Sequence, residues 1–541
     1  MSSSKKIKAI SPLLILTLQT IYFLSFARLD PEPHHDGVML AAAIGVSEGK
    51  IPNKDVFTQY GPVTPLFQGL WLSFTEPSLL SLRIFTALLL ALCGLVLFLI
   101  LKSITTLYLA SLVSISWAVS YPFFILPMNL PWASIIATLF VLISILILIS
   151  PRVGLQNNFG IILVTTILVF GIFVRIHMVI PVIVLGIYYL HYWLRHKNSE
   201  PFFLWLTATF VTLSFCIGAL HYLGALKSYV DQTILWPISY YAAPAIGFTK
   251  GEIVARALLL FFPGFLFLLY LLYKLSILKI ETKFKLLFFF ALILTVVALS
   301  NVDVPHKSYL NPLYVAVSLS QNFPSTISYA AVTLLLFYFW KERKKLAFLD
   351  LRLLPVALGA SLIPQLYPAH DTLHLYWIAP GVIAAVVIYK SVRASESLTS
   401  RLNQLTPVLS SIVVICLILG GMHLREDRVA YSDPVVRGMI GIKSTVQPID
   451  EMLIAIDQLP KDATIKFDCA HGLFAVAGGR YLASDERFVN WGVTKSEDQY
   501  AYNLVCDLTE EGAQKVRQSP GIIKEVKLAT GQILILFSNL G

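Results

Sequence analysis

Charged residues are scarce in this chain of 541 residues. Asp, Glu, Lys and Arg together make up 13 % of the sequence, whereas 57 % of it is hydrophobic and the mean hydropathy is +0.74. Soluble globular proteins average about 25 % charged residues. The shortage of charge therefore excludes an ordinary soluble protein and indicates that most of the chain lies in lipid.

The chain also lacks the features of a nucleic-acid-binding protein, although its formal net charge is +10. It has no basic tail and no basic patch interleaved with aromatic residues. Residues 423–541, the C-terminal region, hold 13 Lys and Arg against 16 Asp and Glu; from totals of 41 and 31, that leaves 28 basic and 15 acidic residues before them. This positive excess lies mainly in short loops, where it sets orientation in a membrane.

Cysteine is rare as well, with five in the chain. Cys93, Cys216 and Cys416 fall in hydrophobic segments and are most simply packing residues. Cys469 and Cys506 lie in predicted strands of the C-terminal region. An oxidising compartment would permit a disulfide between them, and two buried thiols are the alternative.

Thirteen hydrophobic segments are candidates to cross a bilayer, which takes about 20 apolar residues each. They are residues 11–27, 79–101, 104–120, 131–150, 159–175, 177–194, 202–220, 255–273, 286–301, 326–340, 351–367, 375–391 and 404–422. No small-residue cleavage site follows the first segment, which favours a retained signal-anchor over a signal peptide. The strong basic clusters then fall on the side of the N-terminus, which we predict to be cytoplasmic.

An odd number of spans places the C-terminal region on the outer face. Its pattern predicts helices near 449–459 and 510–519, short strands near 463–469 and 502–507, and a closing hairpin turning at Gly531. The predicted fold class is thus a polytopic α-helical membrane protein with a small extracytoplasmic α/β domain. The two domains are residues 1–422 and 423–541.

The loop after the first span, residues 28–78, is the first outer loop. It carries six carboxylates and two adjacent histidines, and connections longer than about 12–15 residues are usually functional or disordered. Residues 37–48 predict a short helix whose apolar side chains lie on the membrane surface. We expect the active site in this loop. The polar residues concerned are Asp30, Glu32, His34, His35, Asp36 and Asp55.

Asp36 is the strongest candidate for a general base, because a carboxylate at the membrane surface can take a proton from an acceptor hydroxyl. The alternative is that it caps the predicted helix, since Asp is favoured at the N-cap. Glu32 and Asp55 are the other candidate acids, and a helix start or a turn would explain them equally. His34, His35 and Asp36 could bind a divalent cation only with ligands from elsewhere, so we expect no metal or other cofactor.

The first outer loop resembles that of the GT-C superfamily of membrane glycosyltransferases, which includes protein O-mannosyltransferases and aminoarabinose transferases. The resemblance is carried by Asp36-Gly, a helix, the motif Gly49-x-Ile-Pro-x-x-Asp55-x-Phe-x-x-Tyr60-Gly-Pro-x-x-Pro65, and Ser81-Leu-Arg83-Ile-Phe. It covers residues 1–100 in sequence and the remainder only in topology.

The resemblance implies that Asp36 activates the acceptor and that the donor is a polyprenyl-phosphate sugar. Two features differ from some members: residues 121–130 contain no carboxylate, and Gly37 stands where a second acid usually follows. Glu32 or Asp55 would then supply any second acid, with Tyr60 and His35 completing the substrate loop.

A leaving phosphate needs cations or hydrogen-bond donors at the outer face. Arg83 and Arg175 lie near predicted outer ends of spans, where a charge is functional by default; snorkelling to lipid head groups is the alternative. Lys307, His370 and His374 belong to the other outer polar clusters. The two histidines are four residues apart and would share one face of a helix. Helix capping or hydrogen bonding at the membrane interface would explain them equally well.

The sequence therefore predicts a glycosyltransferase of the plasma (inner) membrane that moves one sugar, with inversion, to a lipid, glycan or protein acceptor on the outer face. A transporter or flippase is the alternative, but it predicts charges at mid-span and broken, repeated helices. A surface-polysaccharide polymerase or ligase would share the donor type and would centre on a later outer loop.

Overall fold

A computed structural model describes residues 3–121, 129–237, 326–342, 351–366, 372–393 and 406–538, apart from residues 152 and 156 and short stretches between 462 and 530. The predicted spans at 255–273 and 286–301 lie outside the described residues, and so do Lys307, His370 and Cys469.

Long apolar helices make up most of the described part of residues 1–422. The helices are α1 Ser3–Phe26, α2 Pro33–Ser47, α3 Val63–Phe74, α4 Leu79–Ile104, α5 Leu107–Val119, α6 Ala133–Ile149, α7 Asn158–Ile172, α8 Val179–His196, α9 Glu200–Tyr222, α10 Leu226–Val230, α11 Thr326–Glu342, α12 Leu354–Ala360, α13 Thr372–Arg393 and α14 Thr406–Leu424.

Five candidate spans meet the length and apolarity needed to cross a membrane in the described part of the chain. They are Leu79–Ile104, Ile176–His196, Glu200–Tyr222, Leu373–Val392 and Thr406–Leu424. Shorter apolar helices lie at Ser11–Phe26, Leu107–Val119, Ala133–Ile149, Asn158–Ile172 and Leu351–Gln365. The full number of thirteen spans stays a prediction.

Helix α4 is central, because α1, α5, α6 and α13 all pack against it. A buried polar contact joins three of these helices: Gln19 Nε2 donates to Ser114 Oγ at 2.8 Å, and Ser114 Oγ donates to the Gly94 carbonyl at 2.8 Å. A Cβ at position 94 would clash with the Gln19 side chain. Small residues and interhelical hydrogen bonds of this kind hold helices together in lipid.

Helix α2 differs from the helix predicted at 37–48. It begins at Pro33, and residues 36–45 are all buried rather than lying on a membrane surface. Helices α3 and α4 pack against it, and so does a 3-10 helix of the C-terminal region, Gly472–Gly479. The prediction of a surface helix was wrong because this segment has no polar face, and a helix that is apolar all round is buried.

The C-terminal region contains a four-stranded sheet in the order β3-β6-β8-β7, with β3 parallel to β6 and the other pairs antiparallel. The strands of this region are β1 Val429–Ala430, β2 Ile440–Gly441, β3 Ile465–Asp468, β4 Arg487–Val489, β5 Gly492–Thr494, β6 Tyr502–Leu508, β7 Ile522–Lys527 and β8 Ile533–Ser538, with helices α15 Lys443–Asp457 and α16 Glu510–Val516. Gly531 turns the chain between β7 and β8 with φ +86°. Cys506 is disulfide-bonded, while Cys93, Cys216 and Cys416 are free.

Candidate active site

Asp36 and Arg83 form a fully buried ion pair at the start of α2 and near the start of α4. Both side chains are 0 % exposed. Arg83 Nε donates to Asp36 Oδ1 at 3.2 Å, and Nη2 donates to Oδ2. The same guanidinium donates to the backbone carbonyls of Leu29 at 2.5 Å and Asp30 at 3.1 Å. The predicted base and one predicted phosphate ligand are therefore bound to each other.

The environment of Asp36 makes its carboxylate more basic than an exposed one. Burial raises the pKa of Asp36 above its ordinary value, because the charged form loses its hydration, and the Arg83 guanidinium acts in the opposite direction. Oδ2 also accepts from the Glu32 backbone N–H at 2.7 Å. Oδ1 has the single bond to Arg83, so it is the oxygen with more capacity left to accept a proton.

Glu32, and not Asp36, is the N-cap of α2. Its side chain accepts from the His35 backbone N–H and lies 2.7 Å from His35 Nδ1. Burial alone would raise the pKa of Glu32, but the hydrogen bonds and charge of His35 outweigh it, so the pKa lies below its ordinary value. The two acids therefore cap the helix reciprocally. The Glu32 side chain accepts from a backbone N–H of the first turn, and the Asp36 side chain accepts from the Glu32 N–H.

Asp55 lies in a turn in the second half of the first outer loop. Its Oδ2 accepts from the Ile51 N–H at 2.9 Å, and its own N–H donates to the Ile51 carbonyl at 2.9 Å. Asn53 Nδ2 nearby donates to Thr58 Oγ1 and to Gln232 Oε1, at 2.9 and 3.0 Å. The turn interpretation of Asp55 accounts for these contacts.

Four predicted site residues meet around a residue that the sequence analysis did not select, Trp132. Its ring centroid lies 4.7 Å from that of His35, 5.1 Å from that of Tyr60 and 6.5 Å from that of His374. Arg175 lies over the Tyr60 ring at 5.6 Å. We call these five residues the Trp132 cluster. It joins the first outer loop to the starts of α6, α8 and α13.

Arg175 is buried, at 5 % exposure, among polar and aromatic groups. Its Nη1 donates to Ser134 Oγ and, at 3.5 Å, to Gln365 Oε1. Ser134 and Gln365 were missed by the sequence analysis because neither belongs to a recognisable motif. Trp132 was missed because it falls inside the span predicted at 131–150, whereas the helix begins one residue after it, at Ala133, and leaves Trp132 at the N-cap.

Metal binding has no support in the described part of the chain. No group of three or more His, Cys, Asp or Glu side chains there is arranged to hold an ion. His35 of the His34–His35–Asp36 run contacts Glu32 and Trp132, and Asp36 binds Arg83. His35 and Asp36 are therefore directed at different partners.

Neither a protein-family model nor a curated protein matches the chain. Among solved structures it is similar to the apo oligosaccharyltransferase of Archaeoglobus fulgidus, at 12 % identity and TM-score 0.48, over 89 % of this chain and 65 % of that one. It is also similar to the archaeal oligosaccharyltransferase AglB from Archaeoglobus fulgidus in complex with an inhibitory peptide and a dolichol-phosphate, at 11 % identity and TM-score 0.43, over 84 % of this chain and 59 % of that one.

ArnT of Cupriavidus metallidurans bound to undecaprenyl phosphate is a third similar structure, at 10 % identity and TM-score 0.42, over 97 % of each chain. In contrast to ArnT, the archaeal oligosaccharyltransferases are matched over only about three fifths of their length. The matched proteins are GT-C membrane glycosyltransferases, the superfamily that the first-loop motif resembles. At TM-scores below 0.5 these matches assign no residue role.

Proposed function

We propose that this chain is an integral membrane glycosyltransferase that transfers one sugar from a polyprenyl-phosphate donor to an acceptor on the outer face of the plasma membrane. The observation that carries the proposal is the junction at His35. Its neighbour in sequence is the buried carboxylate of Asp36, and its ring contacts Trp132. His35 therefore links the candidate base to the other members of the Trp132 cluster.

In this mechanism Asp36 Oδ1 accepts the proton of the acceptor hydroxyl, and the acceptor oxygen attacks the anomeric carbon. The bond from that carbon to the phosphate oxygen breaks, and the phosphate leaves with the electron pair. Attack from the face opposite the phosphate inverts the anomeric carbon. A carboxylate with a raised pKa is a stronger base than an exposed one, which suits this step.

The Trp132 cluster suits the donor. Arg175 and His374 supply N–H donors where negative charge develops on the leaving phosphate. The faces of Trp132 and Tyr60 suit stacking on a pyranose ring. Lys307 and His370, outside the described residues, remain proposed phosphate ligands. Glu32 caps helix α2 and does not serve as a second acid that could bind a metal ion with Asp36. We therefore expect transfer to persist in the presence of EDTA.

The test is transfer from radiolabelled polyprenyl-phosphate sugars by wild type, Asp36→Asn and Asp55→Asn in membranes at matched protein levels. Asp36→Asn is expected to lose about 10²–10⁴-fold in rate, the usual contribution of a positioned base. Asp55→Asn is the matched control, because its turn carboxylate is replaced by a side chain that still accepts from Ile51, and we expect its rate to stay within a few-fold of wild type.

Because Asp36→Asn leaves Arg83 buried without its carboxylate, thermal stability is measured alongside, and donor binding must persist. Transfer that survives in folded Asp36→Asn would refute the assignment of the base and move it to Glu32 or Asp55. If wild type transfers sugar from no donor tried, the glycosyltransferase proposal fails, and lipid movement becomes the activity to measure.

A further inference from the structure

The C-terminal region pairs with the start of the first outer loop, next to the candidate base. Ile440 of β2 donates its N–H to the Arg28 carbonyl at 2.8 Å and accepts from the Asp30 N–H at 2.7 Å. This short ladder fixes the backbone of residues 28–30. It therefore fixes the two carbonyls, of Leu29 and Asp30, that accept from Arg83.

A second contact, between side chains, holds the same segment. Arg428, whose side chain is 2 % exposed, donates from Nε to both carboxylate oxygens of Asp30 at 3.2 Å and from Nη2 to Oδ2 at 2.9 Å. Its Nη1 donates to the His423 carbonyl at 2.6 Å. A planar guanidinium that grips a carboxylate in this way fixes orientation as well as distance.

Asp30 needs such a constraint, because its φ of +43° lies in the left-handed region that residues other than glycine rarely adopt. The Asp30 carbonyl accepts from Arg83 Nη2 at 3.1 Å, and Arg83 in turn binds both oxygens of Asp36. Arg428, Asp30, Arg83 and Asp36 thus form one continuous series of contacts.

The other side of Asp36 is also covered by the C-terminal region. A Cβ at Gly37 would clash with the backbone of Gly472 and Leu473, so the 3-10 helix Gly472–Gly479 lies directly on the first turns of α2. The candidate base is therefore held from two directions by residues more than 390 positions away in the sequence.

We propose that Arg428 is a positioning residue of the active site, which acts through Asp30 and Arg83 to hold the Asp36 carboxylate in place. The proposal rests on the assignment of Asp36 as the base. It gives the C-terminal region a role in catalysis that needs no contact with either substrate.

The test uses the purified full-length chain carrying Arg428→Gln, Arg428→Lys or, as a control, Arg517→Gln. Arg517 is an arginine of the same region that binds Glu510 and Glu525, at 2.8 and 2.5 Å, on the exposed surface. A shift of about 1 Å in a catalytic group can cost about 10²-fold in rate. We expect Arg428→Gln to lower kcat by about 10-fold or more with the donor KM within about 2-fold.

We expect Arg428→Lys to recover only part of kcat, because a lysine keeps the charge without the fork, and Arg517→Gln to behave as wild type. Two further readouts separate positioning from general destabilisation. Hydrogen exchange of the α2 amides, residues 34–47, should rise in Arg428→Gln and stay unchanged in Arg517→Gln. The acid limb of kcat should move to higher pH, because a displaced Arg83 no longer lowers the pKa of Asp36; Glu32 is the other charged side chain that acts on Asp36 among the described residues.

Wild-type kcat together with wild-type exchange in Arg428→Gln would overturn the proposal. Should that variant fail to fold, Asp30→Asn removes the same ion pair with almost no change in volume, and the same two outcomes decide. If Asp36→Asn retains transfer, the base assignment fails independently, while the exchange of α2 in Arg428→Gln still shows whether the C-terminal region positions that helix.

Discussion

Two buried arginines, Arg83 in α4 and Arg175 just before α8, occupy contrasting surroundings. Arg83 directs four hydrogen bonds of its five N–H groups to the carboxylate of Asp36 and two backbone carbonyls. The described contacts of Arg175 are to a hydroxyl, an amide oxygen and the Tyr60 ring. One guanidinium completes an ion pair, and the described partners of the other are two neutral acceptors and one aromatic ring.

The difference separates two roles that the sequence assigned to both residues alike. A guanidinium already bound to a carboxylate has few N–H groups left for a phosphate, whereas the N–H groups of Arg175 and the aromatic rings beside it suit a phosphate sugar. The geometry thus favours positioning of the base for Arg83 and donor binding for Arg175. Phosphate binding by Arg83 remains a prediction with less support.

The largest effect is expected from Arg83→Gln, measured as thermal stability of the detergent-purified chain. Removing one partner of a buried ion pair leaves an uncompensated charge and costs about 3–5 kcal/mol. The double variant Arg83→Gln with Asp36→Asn removes both charges, so it should be more stable than Arg83→Gln alone. A double variant no more stable than the single one would show that the pair is not coupled as the structure places it.

Arg175→Gln should lower thermal stability less than Arg83→Gln does, and its main effect should be a higher KM for the donor. Each lost hydrogen bond to a neutral partner costs only about 0.5–1.5 kcal/mol, while loss of the cation should raise the donor KM by about 10–100-fold, equivalent to about 1.4–2.8 kcal/mol. Steady-state kinetics with varied donor measure this. Arg28→Gln, at an exposed arginine at the start of the first outer loop, is the control; equal donor KM values in the two variants would remove Arg175 from the donor site.

Trp132 should matter less than either arginine and should depend on ring shape. Trp132→Leu removes the ring that makes T-shaped contacts with His35, Tyr60 and His374. We expect transfer to fall about 10-fold, with Trp132→Phe intermediate, because an aromatic contact is worth about 0.5–1.5 kcal/mol beyond its area. Trp193→Leu, which loses a stacked contact with Phe202 on α9, is the control. An equal fall in all three variants would indicate loss of packing rather than of a substrate surface.

The parts of the fold that local patterns specify were predictable from the sequence. The apolar run of α4, predicted at 79–101, is a helix over Leu79–Ile104, because hydrophobic length is a local signal. The turn at Asp55 and the helix start at Glu32 are local too, since the partners lie within four residues. For the acids at the start of α2, the sequence leaves open which one caps the helix and which one contacts Arg83.

Contacts between distant residues were not predictable. Asp36 and Arg83 are 47 positions apart, and Asp30 and Arg428 are 398 apart, so no spacing in the sequence relates them. Helix α2 was placed at the membrane surface because its cover, Gly472–Gly479, lies in another domain. The Trp132 cluster was missed as a unit for the same reason: its members come from four separate segments.

The smallest effect is expected at a buried carboxylate of the C-terminal region, Asp433. Asp433 is as fully buried as Asp36 but faces no arginine among the described contacts. Burial raises the pKa of Asp433 to about 6, helped by Asp457 and Asp450 and opposed by the N–H groups of Val435 and Val436. The native state therefore holds a proton that the unfolded chain releases above about pH 4, so this group's contribution to stability is present below that pH and is lost as pH rises through 6.

Asp433→Asn is neutral at every pH and can still accept from the Val435 N–H, as Oδ1 does at 2.9 Å. Thermal stability of Asp433→Asn should equal that of wild type near pH 4 and exceed it by a few degrees at pH 7, whereas Asp427→Asn, at an exposed acid of the same region, should change neither. A variant less stable than wild type at pH 7 would mean that the charged form of Asp433 is favoured by its surroundings. In that case Asp433 would resemble Asp36 with Arg83, a buried carboxylate compensated by a partner.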